Sequence, residues 1–237
     1  MGSARPPRPP APRTRKRRGQ YHHGDLRRAL IEEAVRTIRE QGVDELTLRG
    51  VGQALGVSRT ALYRHFAHKS ALLQAVGTDG FRRFRLDLEE AWDGAGRGPR
   101  GLDAMGRAYV RFAVANPSHF RVMFGGVLGD DVTDPDLQRE RAAAFQVLFD
   151  AIVALQAGGD IRRDDPMVVS RYVWAVVHGI AMLSLDVPSR HPLLNPESDA
   201  RYGVERLRLG LQPDRPQVTR GRRTRGSPYE PGSSRLP

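Results

Sequence analysis

TLRGVGQALGVSRTALYRHFAHK, residues Thr47 to Lys69, spells two short helices joined by a tight glycine turn and followed by a basic anchor. Leu48, Val51 and Leu55 recur at the three-and-four spacing of a buried helical face, and Gly56 ends that helix. Ser58 is placed to cap the next helix by accepting from a backbone amide two or three residues on, and Leu62 and Phe66, four apart, supply its buried side. The outward side is left with Arg59, Thr60, Tyr63, Arg64 and His65. No acid occurs from Leu46 to Thr78, whereas Arg49, Arg59, Arg64 and Lys69 all fall inside that window. The pattern implies a helix-turn-helix over residues 47–66 whose surface suits a polyanion, with phosphates and base edges as its partners.

Working outward, Asp25 opens a preceding helix in which Leu30, Ala34 and Ile38 share a face and Gly42 is the stop signal. Behind the reader a helix runs from about Ser70 to Trp92, and the glycine-rich Asp93 to Gly101 segment breaks it, marking a hinge. Further helices are expected at Leu102 to Ala115, Ser118 to Phe124, Pro135 to Ala157, Pro166 to Leu185 and Glu197 to Leu211. Pro117, Pro135 and Pro166 stand at or near helix starts, where a missing N–H is harmless. The segments GGVLGDD, QAGGD and DVPSRHPLLNP separate these helices, and no alternating strand pattern is found. The fold class is therefore all-α, with a three-helix DNA-binding domain over residues 24–84 and a C-terminal helical bundle over residues 99–211.

Residues 24–84 resemble the DNA-binding domain of the TetR family of transcriptional regulators. The resemblance is carried by Gln41-Gly42 at the end of the first helix, the T-L-R opening at Thr47 to Arg49, Leu55-Gly56-Val57-Ser58 at the turn, and Leu62-Tyr63-Arg64-His65-Phe66 before Lys69. One departure is Gly52, where the family more often has alanine; glycine inside a helix costs roughly 0.5–1 kcal/mol relative to alanine. Trp174, His178 and Gly179 in WAVVHG are similar to the W-x-x-x-H-G signature of one subgroup's C-terminal domain. The resemblance implies a homodimer built from the last two long helices, a bundle that binds a small molecule, and a palindromic operator as DNA target.

The formal charge of +11 does not itself argue for DNA binding by the folded body. The segment 1–20 carries Arg5, Arg8, Arg13, Arg15, Lys16, Arg17 and Arg18 with no acid, and the segment 212–237 carries six arginines against Asp214 and Glu230. These proline-rich tails, expected to be disordered, account for the whole excess, so residues 21–211 are formally neutral. The front tail reads equally as a contact along phosphates or the minor groove and as a solubilising end. With no cysteine, disulfides, thiolate metal sites and thiol redox sensing are excluded. The uncharged run Tyr172 to Leu185 is too short for a membrane span and the start has no hydrophobic signal core, so a cytoplasmic protein is expected.

Roles follow for the reader. Arg59 and Thr60, near the start of the second helix, are the candidates for base edges; Tyr63, Arg64, His65 and Lys69, with Thr47 and Arg49, are assigned to phosphates, and Ser58 to the cap. In the second half Phe112, Phe120, Met123, Phe145, Phe149, Trp174, His178 and Met182 are candidate pocket residues, although stripes of this kind also fill ordinary cores. His178 reads first as a core histidine held by a hydrogen bond and second as a ligand contact. No phosphate-cradling glycine loop, nucleophile elbow or metal-ligand spacing is found, and His22-His23 sits before the first helix; no enzyme, metal or cofactor is called for. The expected function is a ligand-responsive repressor acting as a dimer, with a hydrophobic or aromatic effector. The alternative is a constitutive DNA-binding or architectural protein with no effector.

Overall fold

A computed structural model describes residues 23–129, 134–186 and 195–213. The two tails, His22, the side chains of His23 and Asp25, and the centre of the DVPSRHPLLNP breaker lie outside the described residues. Among the described residues there are nine helices and no strand: α1 (His23–Gln41), α2 (Leu48–Ala54), α3 (Arg59–Tyr63), α4 (Lys69–Gly94), α5 (Pro99–Ala115), α6 (Pro117–Phe124), α7 (Pro135–Gly158), α8 (Pro166–Asp186) and α9 (Pro196–Gly210).

Local chemistry sets most of these boundaries. Thr47 accepts from the Gly50 amide and Ser58 from the Ala61 amide, so each caps its helix as a short hydroxyl in extended backbone can. Gly56 turns the chain between them at φ +63°, a left-handed conformation that costs a side-chain-bearing residue energy. His68 was not legible as a cap, yet its Nδ1 accepts from the Ala71 amide and opens α4. Asp134 caps α7 through the amides of Asp136 and Leu137, and its own amide donates to the buried Gln74 side chain of α4 at 2.9 Å.

Apolar burial forms two cores. The first joins Leu30, Ala34 and Ile38 of α1 to Leu48, Val51, Leu62, Phe66, Leu72 and Val76. The second collects Phe81, Phe84 and Leu88 with the inward faces of α5 to α9. Both draw on α4, which at 26 residues is about 39 Å long and passes unbroken from one core to the other. The expected hinge at Asp93 to Gly101 is a turn between α4 and α5, with Gly96 and Arg97 at positive φ. The change of core lies earlier, inside α4 between Val76 and Phe81, and Val122 of α6 joins the first core. α4 packs most extensively on α7 and α5, and α5 in turn holds α8 and α9.

By length and composition α8 would cross a membrane. Its Val169, Val173, Val177 and Ala181 are instead buried in the second core.

Candidate functional site

The reading face is built by α2, α3 and the start of α4. Arg49, Ser58, Arg59, Thr60, Tyr63 and Arg64 are exposed, with Tyr63 at 44%. The Arg59 guanidinium lies 5.4 Å over the Tyr63 ring, one helical turn away, which limits its wandering before any base edge is met. The helix is shorter than its pattern implied. Leu62 and Phe66 are both buried, but α3 ends at Tyr63, and Phe66 enters the core beyond it with the Arg27 guanidinium 5.3 Å over its ring.

Three expected phosphate contacts are placed or committed differently. His65 is half-buried and faces a cleft shared with Arg27 and Ile31 of α1 and Asp79 and Arg82 of α4, instead of standing on the outer face. The early end of α3 rotates it off the exposed stripe. Lys69 is half-buried, and its Nζ donates to the Asp44 carbonyl at 3.1 Å, tying α4 to the loop before α2. Thr47 Oγ1 is similarly committed to the Gly50 amide at 3.0 Å. Gly52 has a packing reason that its sequence context did not disclose: a Cβ there would lie 3.1 Å from Leu62 Cδ2, so glycine lets α3 settle close on α2.

The second core holds a cavity of about 420 Å³, open on the α7 side, within the range of roughly 300–1,000 Å³ typical of small-molecule sites. Its walls are Phe81, Phe84 and Leu88 of α4, Leu102, Met105, Gly106 and Tyr109 of α5, Phe124, and Val173, Trp174 and Val177 of α8; α7 adds Gln138, Arg141, Ala142, Ala144, Phe145 and Leu148. Of the eight expected pocket residues, Phe145 and Trp174 line it. Phe112 and Phe120 are wholly buried in the core, Met123 packs toward Gly80, and Phe149, His178 and Met182 are partly buried outside the lining. Phe81, Phe84 and Leu88 of α4 and Leu102 and Met105 of α5 were missed, though each set follows helical spacing.

A hydrogen-bonded triad closes one wall. The Trp174 indole donates to the Tyr109 hydroxyl at 3.1 Å, and that hydroxyl pairs with His178 Nδ1 at 2.8 Å. Burial raises the Tyr109 pKa far above the usual phenol range and lowers that of His178, so both are held neutral. His178 also stacks on Phe120 with centroids 5.7 Å apart. His178 is thus a structural histidine whose partner is a cavity-wall tyrosine. Gly179 has nothing within 4 Å of its would-be Cβ, so the close approach expected there is not made among the described residues.

A second polar link joins α4 to α6. His119 is buried, and its Nε2 lies 3.1 Å from Asp79 Oδ2, which Arg83 also holds at 2.7 Å. Burial alone would raise the Asp79 pKa, but the His119 hydrogen bond and the Arg83 charge outweigh it and lower it. Among the described residues no group of three His, Cys, Asp or Glu side chains is placed to hold a metal ion.

Comparison with known proteins agrees with this two-part architecture. Residues 30–76 match a model described as bacterial regulatory proteins, tetR family, and residues 102–207 one described as tetracyclin repressor-like, C-terminal domain. An HTH-type transcriptional regulator of Mycobacterium bovis is 29% identical over 141 residues, 57% of this chain and 59% of that protein. A Rhodococcus sp. RHA1 protein of unknown function superposes with a TM-score of 0.72 at 30% identity, over 81% of this chain and 97% of its own. AibR, solved with isovaleryl coenzyme A and operator DNA, shares the fold with a TM-score of 0.59 at 20% identity, over 76% of this chain and 96% of its own. The chain belongs to the TetR family of bacterial regulatory proteins. That family consists of DNA-binding regulators, not enzymes.

Proposed function

We propose that this protein is a sequence-specific DNA-binding transcriptional regulator, acting as a dimeric repressor whose operator affinity is set by a small molecule in the α4–α5–α7–α8 cavity. One observation carries the reading: α4 is both the wall of the cavity, through Phe81, Phe84 and Leu88, and the support of the reader, through Leu72, Leu73 and Val76. A ligand that displaces Phe81 or Phe84 therefore acts on a continuous helix whose other end is fixed to the reading face by Lys69 and the Asp44 carbonyl. The regulatory outcome is a change in the separation of two recognition helices. A constitutive DNA-binding protein would have no use for an apolar cavity against that helix.

The dimer reading is supported by the faces left open. Val168, Tyr172 and Leu183 of α8 are more than half exposed at 51%, 52% and 56%, and Tyr202 of α9 is 65% exposed. Gly179, open on the same helix, admits the backbone of a second copy. Twofold pairing would place the half-sites about one helical turn of DNA apart, roughly 34–36 Å, or a multiple. The relatives named as regulators, and AibR with its operator and ligand, agree in kind.

On the DNA, Arg59 and Thr60 read bases, while Arg49, Tyr63 and Arg64 hold phosphates. The test is a gel shift and anisotropy titration with the palindrome upstream of this protein's own or neighbouring genes. Arg59→Ala should flatten the ranking of operator variants, since a bidentate arginine–guanine pair discriminates by about 1–3 kcal/mol. Arg64→Ala should weaken all sequences alike and lower the salt dependence. An unchanged ranking in Arg59→Ala would remove the base-reading role. An affinity that no cavity ligand shifts would favour the constitutive alternative.

A further inference from the structure

The cavity separates its polar chemistry by position. Its deep polar atoms are already committed: the Trp174 N–H is spent on the Tyr109 hydroxyl, and with His178 Nδ1 as acceptor the tyrosine's single proton is spent on the imidazole. An anion pushed against that wall would meet no available donor, and an unpaired buried charge is heavily penalised. The remaining cationic lining group is Arg141, on the exposed side of α7, with Gln138 one turn before it.

The neighbouring charges on α7 are compensated locally. Arg139 pairs with Asp136 at 2.8 Å, and Glu140 pairs with Arg85 of α4 at 3.2 Å. Arg141 has no ion-pair partner among the described residues. A guanidinium at the rim of an apolar chamber, with its fork of donors uncommitted, matches a planar carboxylate better than it matches a hydroxyl or an amine.

We propose that the cavity takes a monoanionic amphiphile, whose hydrocarbon or aromatic body lies against Phe81, Phe84 and Trp174 and whose carboxylate is held at the mouth by Arg141. The proposal rests on the reading of the cavity as the effector site. It fixes the ligand's orientation, because the head stays with α7 while the apolar body reaches the α4 wall that supports the reader. Neutral and cationic molecules of the same length would fill the chamber without gaining the charged contact.

The test uses the full-length protein and three probes of equal chain length, decanoate, decanol and decylamine, each below its micellar concentration, with binding read by calorimetry. Decanoate should bind about tenfold or more tightly than decanol, the scale of a charge-assisted hydrogen bond. Arg141→Gln should bring decanoate to within about twofold of decanol and leave decanol unchanged, and Arg141→Lys should keep part of the preference. Arg139→Gln, which removes the same charge from the same helix, should leave decanoate binding intact. Equal binding of decanoate and decanol, a preference for decylamine, a preference surviving Arg141→Gln, or an equal loss in Arg139→Gln would each overturn the head-group assignment while the cavity stood. If none of the probes binds, or if binding is undiminished in Ala142→Trp, which obstructs the exposed mouth, the effector-site reading beneath it fails as well.

Discussion

Tyr109→Phe isolates the triad that joins α5 to α8. The substitution keeps the ring, and with it the packing on Phe84 at 4.9 Å and Phe120 at 5.9 Å between centroids, so no large cavity term enters. What disappears is one oxygen that accepts from Trp174 at 3.1 Å and pairs with His178 at 2.8 Å. The indole N–H then has no partner on a wall otherwise made of carbon, and a buried donor left unsatisfied costs about 1–3 kcal/mol. His178 is only half-buried, and water can replace part of its loss. A net destabilisation of about 2 kcal/mol follows, which for a chain of this size lowers Tm by roughly 4–8 °C. Differential scanning fluorimetry at fixed protein concentration and without DNA measures it, with Tyr63→Phe, exposed at 44% on the reading face, as the control that should not move. A Tyr109→Phe protein as stable as the parent would refute the triad as a structural tie.

Four further outcomes are expected. Gly106→Ala should destabilise the chain by about 1–2 kcal/mol in chemical denaturation, because the new Cβ would lie 2.5 Å from Val204 Cγ2 and the overpacking outweighs the helix-propensity gain; equal or greater stability would contradict the α5–α9 packing. Gly179→Leu meets open space among the described residues and should leave monomer stability intact while weakening the dimer in sedimentation equilibrium, and an unaffected dimer would place its interface elsewhere. Ser58→Ala should cost about 0.5–2 kcal/mol and reduce operator affinity by fraying α3, whereas Ser58→Gly should lose only a few tenths; equal loss in both would argue against the cap. The folded-state pKa of His178 is depressed, so its contribution to stability is complete above the unfolded value near 6.5 and is lost as pH falls below it. His178→Phe should flatten that acid limb, and a denaturation profile with the same slope from pH 7 to 5 would remove His178 as its source.

The polar end of the reader was legible because its determinants are local. A hydroxyl three residues before a free amide, a glycine where the chain turns left-handed, and apolar residues three and four apart act within a single turn of helix, so Gly56 and Ser58 stand where their spacing put them, while the same capping geometry at Thr47 went unread. The same locality explains the all-α class and the helix ends that agree within a few residues. His65 escaped, because α3 stops one turn before its pattern does and the last residues rotate toward α1. Gly52 read as a weakness when it is a contact, since the Leu62 side chain that needs the space lies on the other helix.

The sequence alone determined that these residues make helices, where most of them start, and that the stretch from Leu46 to Thr78 carries no acid. Tertiary structure decided which faces meet. Tyr109 and Trp174 are 65 positions apart and Tyr109 and His178 are 69, and no periodicity in either segment encodes their hydrogen bonds. The cavity belongs to no single helix; it is the space left where α4, α5, α7 and α8 cannot fully interdigitate, so composition could suggest its chemistry but not its lining. Helix formation is governed by neighbours in the chain, whereas a cavity and its charged mouth arise from packing among distant ones.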